Sequence, residues 1–248
     1  MPLDLARVPH DNFHWHATLP STMHAAAQLA AAGAPNGTVV GADEQTAGQG
    51  RHGRRWHSEP DAGLYVSIVL RYPFAPDSLP LVSLALGLAT AEAIQQTCAV
   101  ACDLRWPNDV LIGPKKCAGI LAQLDAPAII AGIGINVNHA AFPPDLASLA
   151  TSLRIAAGRP QSREDLLCAL LPAVDTWCGL LATSGRDVIL DAFAHASSYV
   201  RDRRVEVDLD GASLVGTTEG LTPAGFLVVR ADDGKRNLIV NGGVRPCS

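Results

Sequence analysis

The chain has 248 residues, of which 48% are hydrophobic and 17% charged, with a formal net charge of −5. That length holds one large core, or a core with a small appendage, and the composition excludes a disordered chain. The acidic balance argues against a broad nucleic-acid-binding surface, while leaving room for a locally basic pocket.

The N-terminal stretch Met-Pro-Leu-Asp-Leu-Ala-Arg-Val-Pro-His-Asp has no uninterrupted apolar run of the kind a secretory signal needs. Phe13 to Leu19 is rich in aromatics and reads as a first strand. Ser21-Thr22 are good N-caps for the Ala-rich run Met23 to Ala32, which Gly33 and Pro35 end. Thr38 to Asp43 reads as a strand leading into a glycine-rich loop, and Leu64 to Leu70 as an apolar strand after it. Pro80 to Gln96 has helical length. Leu79 to Ile94, the most apolar segment, carries Pro80, Ser83, Thr90 and Glu92 and falls short of a membrane span. Strands are expected at Asp103 to Trp106, Val110 to Ile112, Cys117 to Leu124 and Ala128 to Val137, and their short connections favour antiparallel hairpins. Residues 162–182 and 187–197 look helical. The order predicts an α+β protein, a mixed, largely antiparallel sheet backed by helices.

From Tyr199 the character changes to short strands. Val205 to Leu209 alternates and ends in the hairpin signal Asp210-Gly211, and Gly216 to Leu221, Phe226 to Arg230 and Asn237 to Val240 repeat the pattern. We expect a main domain over 1–198 and a small β-barrel over 199–248 that leans on it. The six cysteines (98, 102, 117, 168, 178, 247) form no Cys-x-x-Cys pair and read as buried reduced thiols of a cytoplasmic protein.

The chemistry concentrates in a few short stretches. Thr46-Ala-Gly-Gln-Gly-Arg-His-Gly-Arg-Arg-Trp56 interleaves Gly48, Gly50 and Gly53 with Arg51, Arg54 and Arg55. A bendable, cationic loop suits an anionic nucleotide or acyl phosphate. Its Gly48-Gln-Gly-Arg-His-Gly53 matches G-x-G-x-x-G, but a strand follows where a dinucleotide fold needs a helix, and no acidic residue ends that strand. No P-loop motif occurs. Pro107 in Arg105-Trp-Pro-Asn-Asp109 forces a bend that leaves Asn108 and Asp109 at a rim. There they bind a ligand or metal through oxygen, or simply close an Asx-turn. Lys116 opens an apolar strand and reads either as a solvated strand end or as a cation held at a site. Glycines in Gly132-Ile-Gly-Ile-Asn136 suggest close approach of a ligand or of another backbone.

Together Ser21-Thr22-Met23, Gln45, the 46–56 loop, Arg105 to Asp109, Lys116-Cys-Ala-Gly-Ile-Leu121 and Gly134-Ile-Asn136 resemble the biotin–protein ligases, in order and spacing. The resemblance implies the class II synthetase-like biotin/lipoate ligase fold with an SH3-like C-terminal barrel. It implies that ATP with Mg²⁺ activates biotin as biotinyl-5′-AMP, and that biotin then passes to a lysine of a biotin carboxyl carrier domain. Biotin would be held by Ser21, Thr22, Met23, Gln45, Gly48, Gln49 and Gly50, and ATP by Arg54, Trp56, Arg105, Asn108, Asp109 and Asn136. Arg51 would touch both substrates and Lys116 would reach the biotin carboxylate, and these two would serve as the catalytic cations. Mg²⁺ would ride on the ATP phosphates near Asp109 without direct side-chain ligation. Gln49 stands where many members carry Arg or Lys, and Arg105 where Lys is frequent, so one charge of the clamp is missing and another has a different shape. The short stretch before Ser21 predicts a ligase without an N-terminal DNA-binding domain. Neither nucleic acid nor membrane is an expected partner, and a monomer or weak homodimer is. A lipoate-specific ligase and a non-catalytic binding module are the alternatives.

Overall fold

The computed structural model describes residues 3–75, 77–209 and 212–247. Its larger part is a seven-stranded sheet. The strands are β1 (Phe13–Leu19), β2 (Val39–Gln45), β3 (Gly63–Leu70), β4 (Asp103–Arg105), β5 (Asp109–Ile112), β6 (Lys115–Asp125) and β7 (Ala128–Asn136), ordered β1-β2-β3-β7-β6-β5-β4. β1 and β2 run parallel because helix α1 (Thr22–Ala31) crosses between them, and every other neighbouring pair is antiparallel. The mixed, largely antiparallel sheet expected from the sequence is thus observed.

Strand periodicity divides the two faces. Val39, Ile68, Ile129, Ile133 and Ile135 join the main core under α2 (Leu79–Cys98), α4 (Arg163–Ser184) and α5 (Arg186–Ala196). Their neighbours Val40, Val69 and Ile130 point to the opposite face, where Met23, Ala26 and Ala30 of α1 cover them. β3 and nearly all of β7 are buried, as a central strand packed on both faces must be. α4 has the length and apolar composition of a membrane span, a property that the sequence reading assigned to no segment. In the fold it is a core helix, with Leu166, Leu167, Leu170 and Cys178 fully buried.

The five-stranded C-terminal sheet comprises β8 (Arg201–Leu209), β9 (Ala212–Leu221), β10 (Leu227–Ala231), β11 (Arg236–Ile239) and β12 (Gly243–Pro246), ordered β11-β10-β9-β8-β12. Val205 and Val207 are its buried alternates. The Asp210-Gly211 hairpin signal lies outside the described residues. This sheet docks on the main part through Trp106, a buried indole whose Nε1 donates to the Gly225 carbonyl at 2.9 Å. The short helix α3 (Leu153–Ala157) and β12 were not expected from sequence. All six cysteines are free, but only Cys98, Cys117 and Cys178 are buried; Cys102, Cys168 and Cys247 are half-buried.

Candidate active site

The cleft lies over the middle of the sheet, and the period of β7 explains why. Ile133 and Ile135 face the main core, so Gly132, Gly134 and Asn136 face the cleft. Gly134 pairs with Gly119 of β6, and the two leave a bare patch of backbone. Trp56 lies on it: a Cβ added at Gly134 would meet Nε1 of the indole at 2.6 Å, and one at Gly119 would meet Cζ3 at 2.8 Å. Met23 Sδ sits over Gly132 in the same way, 2.5 Å from an added Cβ. The glycines are there because side chains from elsewhere occupy the space of their own.

A polar pocket closes one end. The Thr22 amide and Oγ1 both point at Gln45 Oε1, at 2.9 and 3.1 Å, and Thr22 Oγ1 also lies 2.8 Å from Ser67 Oγ. Gln45 Nε2 donates to Ser58 Oγ at 3.1 Å. Ser21 is the N-cap of α1 by position, but its hydroxyl makes no capping bond and is buried without a partner. A buried hydroxyl left unpaired costs roughly 1–3 kcal/mol, so a ligand group there would be stabilising. Ser58 and Ser67 were missed by the sequence reading, since isolated serines in a loop and a strand carry no motif.

The glycine loop is a hairpin. Gly50 N donates to the Arg54 carbonyl at 2.7 Å and Trp56 N to that of Gly48 at 2.9 Å. Its tip puts His52 (φ 55°) and Gly53 (φ 70°) in the left-handed region, which glycine adopts without strain. Only a three-residue 3₁₀ turn, Arg51–Gly53, follows Gly50, so the dinucleotide-helix reading is excluded. Gln49 reaches back to His24 of α1, with 3.0 Å between Nε2 atoms, and so anchors one side of the hairpin. Arg55 Nη2 donates to the Thr46 carbonyl at 2.7 Å, and exposed Arg54 pairs with Asp208 of β8 at 3.7 Å.

Arg51 points inward. It donates to Asn108 Oδ1 at 3.3 Å and to Asn241 Oδ1 at 3.1 Å. Burial lowers its pKa from the ordinary arginine value, and nearby Asp109 works in the opposite sense. Asn241, in the C-terminal part, was not identified from sequence. Asn108 is held in turn by its Nδ2 bond to the Ile120 carbonyl at 2.8 Å. Asp109 accepts from Lys116 Nζ at 2.5 Å on one oxygen and from Arg105 Nη2 at 2.7 Å on the other. Burial opposes its ionisation, but Lys116 and then Arg105 outweigh burial, and its pKa falls below the usual carboxylate value. Lys116 Nζ also stands 5.3 Å from the centre of the Trp56 ring. Lys116 is therefore a held cation, not a solvated strand end.

Beyond this junction a wider cavity of about 480 Å³ opens, walled by Arg54, Arg105 and Asn136 and, on its apolar side, by Phe142, Leu146 and Leu149. Asn136 donates to the Thr151 carbonyl at 3.1 Å. The 142–150 stretch, to which the sequence analysis assigned nothing, is tied beside Lys116 by the bonds Lys116 N to Leu149 O and Thr151 N to Lys116 O, each 2.9 Å. Gly50, Arg51, Trp56, Asn108 and Lys116 line both this cavity and the narrow polar pocket. All the residues predicted for the site line one or other cavity or, like Ser21 and Gly48, touch residues that do.

A family model described as the biotin/lipoate A/B protein ligase family matches residues 15–139. The bifunctional ligase/repressor BirA of Bacillus subtilis is 40% identical over 164 residues, 63% of this chain and 50% of that protein. The biotin--[acetyl-CoA-carboxylase] ligase of Mycobacterium tuberculosis is 34% identical over 220 residues, 86% of this chain and 80% of that protein. The chain spans about half the length of the Bacillus relatives it matches. Among solved structures, the biotin protein ligase from Aquifex aeolicus in complex with biotin and ATP aligns with a TM-score of 0.84 at 28% identity, covering 96% of this chain and 100% of that one.

Proposed function

The chain belongs to the biotin–protein ligases of the biotin/lipoate A/B protein ligase family, and from that membership and the cleft we propose that it activates biotin with ATP and passes it to a carrier lysine. The observation that carries this reading is the meeting of two cavities at Arg51 and Lys116. One cavity is narrow, with a polar end at Ser21, Thr22 and Gln45 that suits the ureido group of biotin. The other is wide, with an apolar wall at Phe142, Leu146 and Leu149 that suits adenine.

A carboxylate must be activated before an amine attacks it. Attack of the biotin carboxylate on the α-phosphorus of ATP brings two anions together and releases pyrophosphate. Arg51 and Lys116 stand where the two chains of atoms would meet, and preorganised cations there lower the cost of that approach. Arg105, engaged with Asp109 and 5.9 Å from the Tyr199 ring, acts as a positioning residue. Asp109 has a depressed pKa and two cations on it, so it is a poor acceptor for the proton of the attacking amine. Its part is to hold Lys116 in place. Mg²⁺, which screens the phosphate charge when bound, would be held by phosphate oxygens, since both oxygens of Asp109 are engaged by cations. The second step, attack of the carrier lysine on the mixed anhydride with loss of AMP, needs only that amine and an adenylate shielded from water. The hairpin at 46–56 is placed to shield it.

We assign this chemistry to residues 1–198, with 199–248 as an appended β-domain that contributes Asn241 to the cleft. Pyrophosphate release with ATP, Mg²⁺ and either biotin or lipoate tests the reading. Biotin-dependent release, followed by labelling of a biotin carboxyl carrier domain, is the expected result. Release with lipoate alone would move the protein to the other branch of the family, and no release with either acid would make it a binding module.

A further inference from the structure

Beside the cleft, His57, Glu59 and His139 each bring one ligating atom to within 4.8 Å of the others. His57 directly follows Trp56 and shares with Glu59 the irregular segment before β3. Their side chains are 35% and 49% exposed, with His57 Nε2 and Glu59 Oε2 4.0 Å apart. His139 is fully buried just beyond β7. Its carbonyl accepts from Ser152 Oγ at 2.7 Å, and its ring stacks on Phe142 with 5.1 Å between centroids. One ligand is thus fixed and two can move.

The hydrogen bonds around His139 decide which nitrogen is available. Tyr65 Oη lies 3.1 Å from the Glu59 carbonyl oxygen and 3.3 Å from His139 Nε2. A phenol has a single hydrogen, and a carbonyl oxygen only accepts, so that hydrogen goes to Glu59. His139 Nε2 then carries the proton and donates to Oη, which leaves Nδ1 as the bare lone pair. Nδ1 is buried and has no partner. An imidazole oriented through one nitrogen and bare at the other is how proteins present a metal ligand.

We propose that His57, Glu59 and His139 form a three-ligand site for a divalent cation of the zinc class, with a fourth position open to water or to a ligand in the neighbouring cavity. Two imidazoles and a carboxylate suit zinc, whereas Mg²⁺ prefers an all-oxygen shell. Tetrahedral zinc with bonds of about 2.0–2.2 Å needs donors about 3.4 Å apart. The His57–Glu59 pair must close from 4.0 Å, a movement within the reach of two partly exposed side chains. His57 and Phe142 also wall the wide cavity, so a bound ion would fix the segment that follows Trp56. The site does not depend on the proposed ligase reaction and is tested without its substrates.

The experiment uses the full chain, freed of metal with a chelator, without ATP or biotin. Zn²⁺ is titrated in competition with a chromophoric chelator, and Co²⁺ then serves as a spectroscopic probe. The site predicts uptake of a single equivalent, indifference to excess Mg²⁺, and visible cobalt bands without thiolate charge transfer. His57→Ala and Glu59→Gln should each weaken uptake by at least about tenfold. Because both side chains are partly exposed, these variants fold even where His139→Gln does not, and circular dichroism checks it. No uptake at micromolar zinc, unchanged uptake in both variants, or a thiolate band placing the metal on cysteines would each overturn the proposal.

Discussion

Gly134→Ala puts one methyl group at the junction of the two cavities. A Cβ built on Gly134 lies 2.6 Å from both Nε1 and Cε2 of Trp56, whereas non-bonded carbon contacts settle at about 3.5–4.0 Å. Either the indole retreats by about 1 Å or β7 bends. The indole moves more easily, because it stands in an open cleft at the end of a hairpin, whereas β7 is bonded on both sides. Overpacking of this kind costs about 1–3 kcal/mol. Loss of glycine's freedom in the unfolded chain offsets about 0.4–1 kcal/mol of that. A net loss below about 2.5 kcal/mol lowers Tm by less than about 10 °C in a chain of this size. Activity should fall much further, because a displacement of about 1 Å among positioned groups costs on the order of 100-fold. Pyrophosphate release, thermal unfolding and tryptophan emission measured on one preparation separate the two effects. Wild-type turnover with unchanged emission would refute the contact, and failure to fold would mean that the core, not the cleft, requires this glycine.

Arg51→Ala and Lys116→Ala should each abolish biotin-dependent pyrophosphate release while leaving the circular dichroism spectrum intact; near-wild-type release from either variant removes that residue from the chemistry. Asp109→Asn strands two cations that share one carboxylate and should cost about 3–5 kcal/mol, toward the lower end because Lys116 keeps some solvent. The sign with pH follows from the direction of the shift. The folded Asp109 pKa lies below the unfolded value of about 3.9, so its stabilisation is full above that value and fades as pH falls through the folded pKa. Wild-type stability should therefore drop more steeply than that of Asp109→Asn below about pH 4, and parallel acid unfolding curves would contradict the ion pair. Trypsin should cut the free protein between Arg51 and Arg55 and cut it more slowly with biotin and ATP present. Equal rates would show that the hairpin does not close over ligand.

What the sequence made legible is what local rules encode. Alternation in Gly132-Ile-Gly-Ile-Asn136 places two isoleucines in the core and three small or polar residues on the cleft, and it can be read without coordinates. The helix α1 between two short strands is likewise legible, and it is what sets β1 and β2 parallel. What could not be read arrives from a distance. Asn241 comes to Arg51 because the C-terminal sheet docks on the main part, Trp106 to Gly225 being one such contact, between residues 119 positions apart. Ser67 reaches Thr22 across the β2–β3 pairing, and the 142–150 stretch is positioned by two backbone bonds to Lys116, for which side-chain pattern gives no signal. β12 is four residues long and rests on pairing with β8.

The charge arrangement at the junction bears on how an acidic protein would recruit the two anions of the proposed reaction. Arg105 and Lys116 share one carboxylate, Asp109, whereas the hydrogen bonds of Arg51 go to the neutral amides of Asn108 and Asn241. Amides orient a guanidinium without neutralising it, so positive charge is left over where the two cavities meet. A second carboxylate in place of either asparagine would hold Arg51 as well, but it would cancel the positive charge that the proposed reaction needs there. Gln49 fits the same logic. It anchors the hairpin to His24 by a side-chain hydrogen bond, so a charged residue is not required at this position to fix the loop. The cation that matters is the one the loop carries inward, and the surrounding neutral groups keep its charge available.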